Sequence, residues 1–318
     1  MKEIAQFVPD LQAGMQNWKL TLSYDGTDYH GWQVQPGLTT IQGELQAALG
    51  RVTGEAPLPQ GSGRTDAGVH ALGQVASFGL RAAIPADNLR RALNRTLPAA
   101  IRVLEARVVP ETFHARHSTV AKTYEYRVFL EKQGSGIRDQ GPEMQGRGAK
   151  DEGTEGRTVC PPFLARYVYA YRWPLDSPCL ERAAEAFVGT HDFLSFAATD
   201  PDEAARCGEA ARAGEAAGAG GFFLDNEEEA ARSAVRTIFN SGWEERVVDE
   251  GTILIYRVRG NGFLHHMVRN LVGTMLDVGR GYRRVDEIPG MIAARARAAA
   301  GPTAPARGLF LHSVEYSE

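Results

Sequence analysis

Hydrophobic and polar residues alternate in several short stretches of this 318-residue chain, which is the pattern of half-buried β-strands. In the clearest stretch Tyr124, Tyr126 and Val128 share one face, with polar residues between them. Turn chemistry separates the stretches, as at 25–28, where two aspartates flank a glycine and a threonine. The alternation predicts strands at 18–24, 74–78, 101–109, 121–128, 235–248 and 252–259, and a last strand that begins at Gly308.

Apolar residues at helical spacing predict helices between these strands. One apolar stripe runs from Ile41 to Val52. Thr39 and Gln42 at its start could form a capping box. Pro85 suits the first turn of the next helix. Further helices are predicted at 177–189, from the block 262–273 onward, and at about 285–299.

Composition indicates a soluble globular protein with room for two domains, since 43% of the residues are apolar and 23% are charged. No apolar run approaches the roughly 18–20 residues of a membrane span, and the N-terminus lacks a signal-peptide core. The three cysteines, Cys160, Cys179 and Cys207, are few and far apart. They indicate a reducing compartment, for which we take the cytoplasm, and argue against a disulfide framework or a closed zinc site.

The charge is unevenly distributed along the chain. Residues 200–229 hold nine acidic residues and two arginines, so the rest of a chain with net charge −4 carries +3. Residues 81–127 hold nine basic and four acidic residues. A basic region beside an acidic insertion is compatible with contacts to nucleic-acid phosphates, although arginine-rich surfaces are often simply solvated.

The segment 61–71, GSGRTDAGVHA, combines three glycines with two charged side chains. Glycine occurs where the backbone needs positive φ or a close approach, so this loop would present Asp66 and Arg64 on one tight turn. A phosphate-binding loop would need a lysine before the hydroxyl residue. A phosphatase-type aspartyl nucleophile would have a second carboxylate where Gly68 stands. A plain β-turn with solvated charges and a lone aspartate acting as nucleophile or base both remain possible.

The stretch 63–71 resembles the signature of tRNA pseudouridine synthases of the TruA family. Other blocks in the same order also resemble this family, from about Trp18 to Tyr316, and His117 is a small departure because an aromatic residue is expected there. The matching blocks are 24–27 with 31–33, the K-x-Y-x-Y run at 122–126, 191–196, 262–273 and 301–306.

The resemblance implies an α+β fold in which two similar subdomains share an extended, mixed, mostly antiparallel sheet flanked by helices, with the active-site cleft between them. We divide the chain into an N-terminal extension (1–16), a subdomain with the catalytic loop (17–116) and a C-terminal subdomain (117–318). The third part contains two insertions, near 131–158 and 198–232. The first is rich in glycine and charge, as flexible segments are.

The resemblance also implies four catalytic residues. Asp66 would be the nucleophile, and Arg64 would fill the space left by a base flipped out of the RNA and hold backbone phosphate. Tyr124 would stack on the flipped uracil and could move a proton. Arg269 would form an ion pair that keeps Asp66 ionised. Arg64 and Tyr124 are also predicted to bind substrate, together with His70, Gln33 and Arg116.

The implied substrate is uridine at positions 38 to 40 of the tRNA anticodon stem-loop, and the implied assembly is a homodimer. No metal is expected, and no cofactor is needed because isomerisation loses no atom or electron. Two other classes fit the residues: a non-catalytic RNA-binding module, since aromatic side chains beside arginines also suit base stacking, and a small-molecule hydrolase with an aspartyl nucleophile.

Overall fold

The computed structural model describes residues 14–131, 158–198 and 234–317, which form two compact units. The first unit contains the described residues up to Glu125 and those from Ala306 onward, and the second runs from Tyr126 to Pro305. The predicted insertions and nearly all of the N-terminal extension lie outside the described residues. Strands of a mixed, mostly antiparallel sheet flanked by helices confirm the predicted α+β class.

The first unit is built on the strand order β4-β1-β3-β10-β5, with β2 beside β3. Strand β1 pairs antiparallel with both β3 and β4, and β10 pairs in parallel with β3. Strand β5 continues into the second unit. The elements are β1 (Gln16–Tyr24), α1 (Ile41–Thr53), β2 (Gln60–Gly61), β3 (His70–Leu80), α2 (Ala86–Thr96), β4 (Ile101–Val109), β5 (Thr119–Leu130) and β10 (Leu309–Tyr316).

The second unit has the strand order β5-β9-β8-β7, and β6 pairs in parallel with the last residues of β5. The pairs β7–β8 and β8–β9 are antiparallel. Its elements are α3 (Pro162–Ala165), β6 (Tyr169–Tyr171), α4 (Ser177–Glu185), β7 (Gly189–Asp192), β8 (Val235–Val248), β9 (Gly251–Gly260), α5 (Met267–Gly279) and α6 (Ile288–Ala293).

The predicted long strands all fall within observed ones, whereas several predicted helix ends were wrong. Thr40, not Thr39, caps α1, because its hydroxyl accepts from the Gly43 N–H. Helix α5 begins only at Met267, since His266 before it has φ of 59°. The helix predicted at 285–299 breaks into short turns around α6, and Arg295 with φ of 49° interrupts it.

The C-terminal strand clusters with the first unit, whereas the sequence division placed all residues after 117 together. The parallel pairing of Phe310 with His70 and of Leu311 with Ala71 explains this position. Residues 117–125 likewise belong to the first unit. Pairing between strands so distant in sequence leaves no periodic signal in either strand.

Two sequence expectations concern general properties of the chain. Among the residues that the structure describes, none of the helices has the length and apolar character needed to cross a membrane. Cys160 and Cys179 are both half-buried, and Cys179 is a free cysteine. Cys207 lies outside the described residues.

Candidate active site

Asp66 lies on a tight turn in the loop that joins β2 to β3, as the glycine spacing predicted. The Val69 N–H donates to the Asp66 carbonyl at 3.1 Å, which closes the turn. Gly68 has φ of +77°, a conformation that favours glycine, and its N–H donates to the Tyr29 carbonyl at 3.2 Å. The Asp66 side chain is half-buried. The loop therefore presents its carboxylate from a fixed backbone.

The segment that follows β1 packs backbone against backbone on this loop. The Trp32 N–H donates to the Thr65 carbonyl at 3.0 Å. A Cβ atom on Gly26 would lie 1.9 Å from the Val69 carbonyl oxygen, and one on Gly31 would lie 2.5 Å from the Thr65 oxygen. Such an approach is open only to glycine. These contacts explain why the blocks at 24–33 and 63–71 occur together in the chain.

We expect Gly31→Ala to destabilise the protein and lower activity, because the new methyl group meets backbone that cannot move without displacing the Asp66 loop. Gly37→Ala is the matched control: Gly31 has φ of +83° and Gly37 has φ of +73°, but a Cβ on Gly37 has no atom within 4 Å. The control should cost about 1–2 kcal/mol of unfolding free energy and Gly31→Ala roughly 2–5 kcal/mol. Urea unfolding and turnover measure both effects, and equal costs would contradict the packing argument.

The beginning of the loop is held by the half-buried Lys122 and the buried Gln74, neither of which was among the predicted site residues. Lys122 Nζ donates to the Ser62 carbonyl at 2.6 Å. Gln74 Nε2 donates to the Gly63 carbonyl at 2.9 Å, and its Oε1 accepts from the Ser62 hydroxyl at 2.6 Å. Lys122 and Tyr124 are two residues apart on β5, so both point to the same face. This two-residue spacing from Tyr124 was the sequence signal that could have identified Lys122 as a residue of the site.

Two buried tyrosines lie beside the loop, and both are neutral near pH 7. The Tyr24 hydroxyl is 2.8 Å from the Thr65 hydroxyl, and burial raises the Tyr24 pKa to about 12 despite hydrogen bonds with Thr65 and Gln74. Burial also raises the pKa of Tyr124, and the charges of Tyr24 and Asp66 raise it further. The Asp66 charge therefore acts on the Tyr124 phenol, which keeps its proton.

The other predicted residues of the first unit differ in their accessibility. Arg64 is exposed on the same loop as Asp66, and Gln33 is half-buried directly after Trp32. Arg116 is exposed in the turn before β5. That turn is anchored through Ala115, whose N–H donates to Ser77 Oγ at 3.0 Å and whose carbonyl accepts from the Tyr316 hydroxyl at 2.8 Å.

His70 is buried, with 1% of its surface exposed. Its Nδ1 accepts from the Gly26 N–H at 3.1 Å, and its Nε2 is 3.2 Å from the Arg307 carbonyl oxygen. The ring stacks on Phe310 at 4.7 Å between centroids. In this position His70 fixes the start of β3 against the C-terminal segment. The predicted contact between His70 and substrate stays a prediction.

Arg269 lies in the first turn of α5 in the second unit and is half-buried. Its Nε donates to the Ala304 carbonyl at 2.7 Å, and the Ala304 N–H donates to the Arg269 carbonyl at 3.1 Å. A Cβ on Gly273 would lie 1.7 Å from the Pro302 oxygen, so the segment at 301–306 packs directly on this helix. The guanidinium is therefore held in one orientation. Its ion pair with Asp66 stays a prediction.

A half-buried carboxylate on a rigid loop, an adjacent tyrosine that keeps its proton and an exposed arginine on the same loop are typical of an enzyme that uses aspartate on a nucleotide. Comparison with known proteins gives the family. The family model described as tRNA pseudouridine synthase matches residues 21–118 and 221–317. The chain belongs to this family, which confirms the resemblance and makes the protein an isomerase of the pseudouridine-forming class.

Curated relatives match almost the whole chain. The protein called tRNA pseudouridine synthase A from Solibacter usitatus is 44% identical over 303 residues, which cover 95% of this chain and 100% of that protein. Its namesake from Moorella thermoacetica is 39% identical over 300 residues, 94% of this chain and 98% of that protein. The protein of the same name from Halalkalibacterium halodurans is 38% identical over 298 residues, which cover 93% of this chain and 91% of that protein.

Proposed function

We propose that this enzyme isomerises uridine to pseudouridine at positions 38 to 40 of the tRNA anticodon stem-loop, with Asp66 as the nucleophile. The observation that carries the proposal is the Asp66 loop itself. Its backbone is fixed by Trp32, Tyr29 and Lys122, and it presents one carboxylate beside the protonated Tyr124. The choice of positions 38 to 40 is based on the resemblance to the TruA family.

The reaction breaks the N1–C1′ glycosidic bond, turns the uracil and joins C5 to C1′. The proton on C5 leaves, and N1 gains one, so atoms and electrons balance without a redox partner. Asp66 can serve as nucleophile at C1′ or at C6, or it can assist a glycal route, and in each case it must be ionised. A carboxylate suits all three routes, because it can attack and later leave in the first two and can accept and return a ribose proton in the third.

The target uridine is stacked in RNA and must be flipped out before any side chain reaches it. We assign Arg64 to the vacated space, because its exposed guanidinium stands two residues from Asp66 on the same loop. A guanidinium is planar and carries forked donors, so it can stack on bases and hold phosphate at once. Arg116 is exposed and suits a backbone contact, and Gln33 suits a contact beside the loop.

Tyr124 would stack on the flipped uracil. Because its pKa is raised, the phenol is a proton donor and not a base at neutral pH. It can therefore donate a hydrogen bond to a uracil carbonyl or supply a proton during the rearrangement. Tyr24 holds the loop itself through its hydrogen bond with the Thr65 hydroxyl.

The same proposal makes the enzyme a homodimer in the cytoplasm, with one tRNA as its substrate. The free cysteine at Cys179 and the low cysteine content of the chain suit a reducing compartment. The homodimer is inferred from the resemblance.

Tritium release from tRNA labelled at C5 of uridine tests the proposal, because the C5 proton leaves whenever C5 is joined to C1′. We expect release from tRNA with uridine at positions 38 to 40, and none when these are replaced by cytidine. Binding of tRNA without release would favour a non-catalytic RNA-binding module, and neither binding nor release would favour a hydrolase. Either result would overturn the proposal.

A further inference from the structure

Two arginines and two aromatic residues of the second unit form a connected set of cation–π contacts, which we call the arginine–aromatic cluster. The Arg172 guanidinium lies 4.7 Å from the Trp173 ring centroid, and that of Arg280 lies 4.5 Å from the same ring. Arg280 also lies 4.1 Å from the Tyr282 ring centroid. All three distances are within the about 6 Å over which such contacts are attractive.

The fold builds this cluster from two chain segments that are far apart in sequence. Arg172 and Trp173 directly follow β6, and Arg280 and Tyr282 directly follow α5. The Asp176 N–H donates to the carbonyl of the last α5 residue at 2.9 Å, which ties the two segments together. Arg280 Nη2 donates to the Tyr282 hydroxyl at 2.6 Å. The cluster is therefore preorganised.

Its rings face solvent to an extent that folding alone does not explain. Tyr282 is 69% exposed and Trp173 is 40% exposed. Exposed cation–π contacts contribute only about 0.5–1 kcal/mol each, and rings this exposed bury little apolar area. Such an arrangement suits a surface on which the ring of a ligand stacks.

The Asp277 charge acts on Arg280 from a distance, but the carboxylates near the cluster make their close contacts with other groups. Asp277 Oδ2 lies 3.7 Å from Arg283 Nε, and Asp286 Oδ2 lies 2.6 Å from Arg284 Nη2, so both carboxylates form ion pairs with arginines outside the cluster. The Asp176 carboxylate accepts from the Cys179 N–H at the start of α4. Within the described ranges, neither arginine of the cluster forms an ion pair, so both can receive an anion.

A surface groove of about 470 Å³ adjoins the cluster through Gly281. Arg182, Arg283 and Arg284 line it together with Asp286, and Arg283 and Arg284 are the two arginines paired with Asp277 and Asp286. Exposed rings with arginines beside a groove are the features of surfaces that bind unpaired nucleotides by stacking and phosphate contacts.

We propose that the arginine–aromatic cluster is a second RNA-binding surface, which stacks an unpaired base of the bound tRNA on Tyr282 and holds its phosphate with Arg280 and Arg172. This inference rests on the proposed function, because it takes tRNA as the ligand. Arg269 and Arg280 stand at opposite ends of α5, about 16 Å apart along the helix axis at 1.5 Å per residue. The nucleotide at the cluster is therefore not the one that reacts.

Variants at Tyr282 test the stacking. Tyr282→Ala should weaken tRNA binding about tenfold, since one stacked base contributes about 1–3 kcal/mol. Tyr282→Phe keeps the ring and should bind like wild type. Turnover at saturating tRNA should stay unchanged in both, because the cluster does not touch the reacting groups. Filter binding and single-turnover assays measure the two quantities.

Variants at Arg280 test the phosphate contact. Arg280→Ala should weaken binding and lower the slope of log affinity against log salt by about one. Arg246→Ala is the matched control, because Arg246 is an exposed arginine of the same unit that pairs with Glu244 at 3.3 Å. It should leave both affinity and slope unchanged.

The outcomes separate this inference from the proposed function. If wild-type enzyme neither binds nor isomerises tRNA, both the proposed function and this inference are overturned. If wild type does both and Tyr282→Ala binds equally well, only the inference is overturned. If Tyr282→Ala instead dissociates the protein in sedimentation, the cluster is a contact between two copies of this chain, which also overturns the inference.

Discussion

Asp66→Asn should lower the single-turnover rate of pseudouridine formation by about 10³-fold or more, while tRNA binding survives. The amide has the size of the carboxylate, so the turn closed by Val69 can keep its shape. It has no negative charge, however, and cannot form and later release a bond to the nucleotide. Release of tritium from C5 measures the rate, and residual turnover above a few per cent would remove Asp66 from the nucleophile role.

Asp28→Asn is the matched control for this variant. Asp28 is an exposed carboxylate in the turn after β1, beside the segment that packs on the Asp66 loop. We expect normal turnover from it. If Asp28→Asn lost as much activity as Asp66→Asn, general electrostatics near the loop would explain the loss and nucleophilic attack would not.

Titration of Tyr124 provides a second measurement in the same variant. The Asp66 charge is one cause of the raised Tyr124 pKa, so its removal should lower that pKa. Burial is the larger cause, and the pKa should therefore stay above the usual value of about 10. Difference absorbance between Asp66→Asn and Asp66→Asn/Tyr124→Phe isolates the phenol. An unchanged Tyr124 pKa would contradict the closeness of the two groups.

The geometry of the Asp66 loop could be predicted because its signal is local. Positive φ at Gly68 and the tight turn at Asp66 are encoded within a few residues, and the alternation at Tyr124 and Tyr126 marks β5 directly. The strands could be predicted for the same reason, because apolar side chains recur at every second residue of a half-buried strand. Local periodicity is sufficient to predict a helix or strand that packs one face on the hydrophobic core.

Features that depend on tertiary contacts were missed or misjudged. The packing of His70 was missed, because its neighbours Arg307 and Phe310 lie more than 230 positions further along the chain. Trp173 and Tyr282 are likewise brought to one cluster only by the packing of α4 and α5. Apolar spacing cannot show where a helix begins when a left-handed residue such as His266 precedes it.

Arg269→Ala should lower turnover by about 10²–10³-fold without unfolding the protein, if its guanidinium keeps Asp66 ionised. In the predicted ion pair the Arg269 charge would favour the ionised carboxyl, so without it Asp66 should need a higher pH to ionise. The acid limb of the pH–rate profile should then move to higher pH, with a larger loss at pH 6 than at pH 8. Added guanidinium ion should restore part of the rate of this variant and none of that of Asp66→Asn. A near-normal rate with an unshifted profile in a folded variant would show that Asp66 ionises without Arg269.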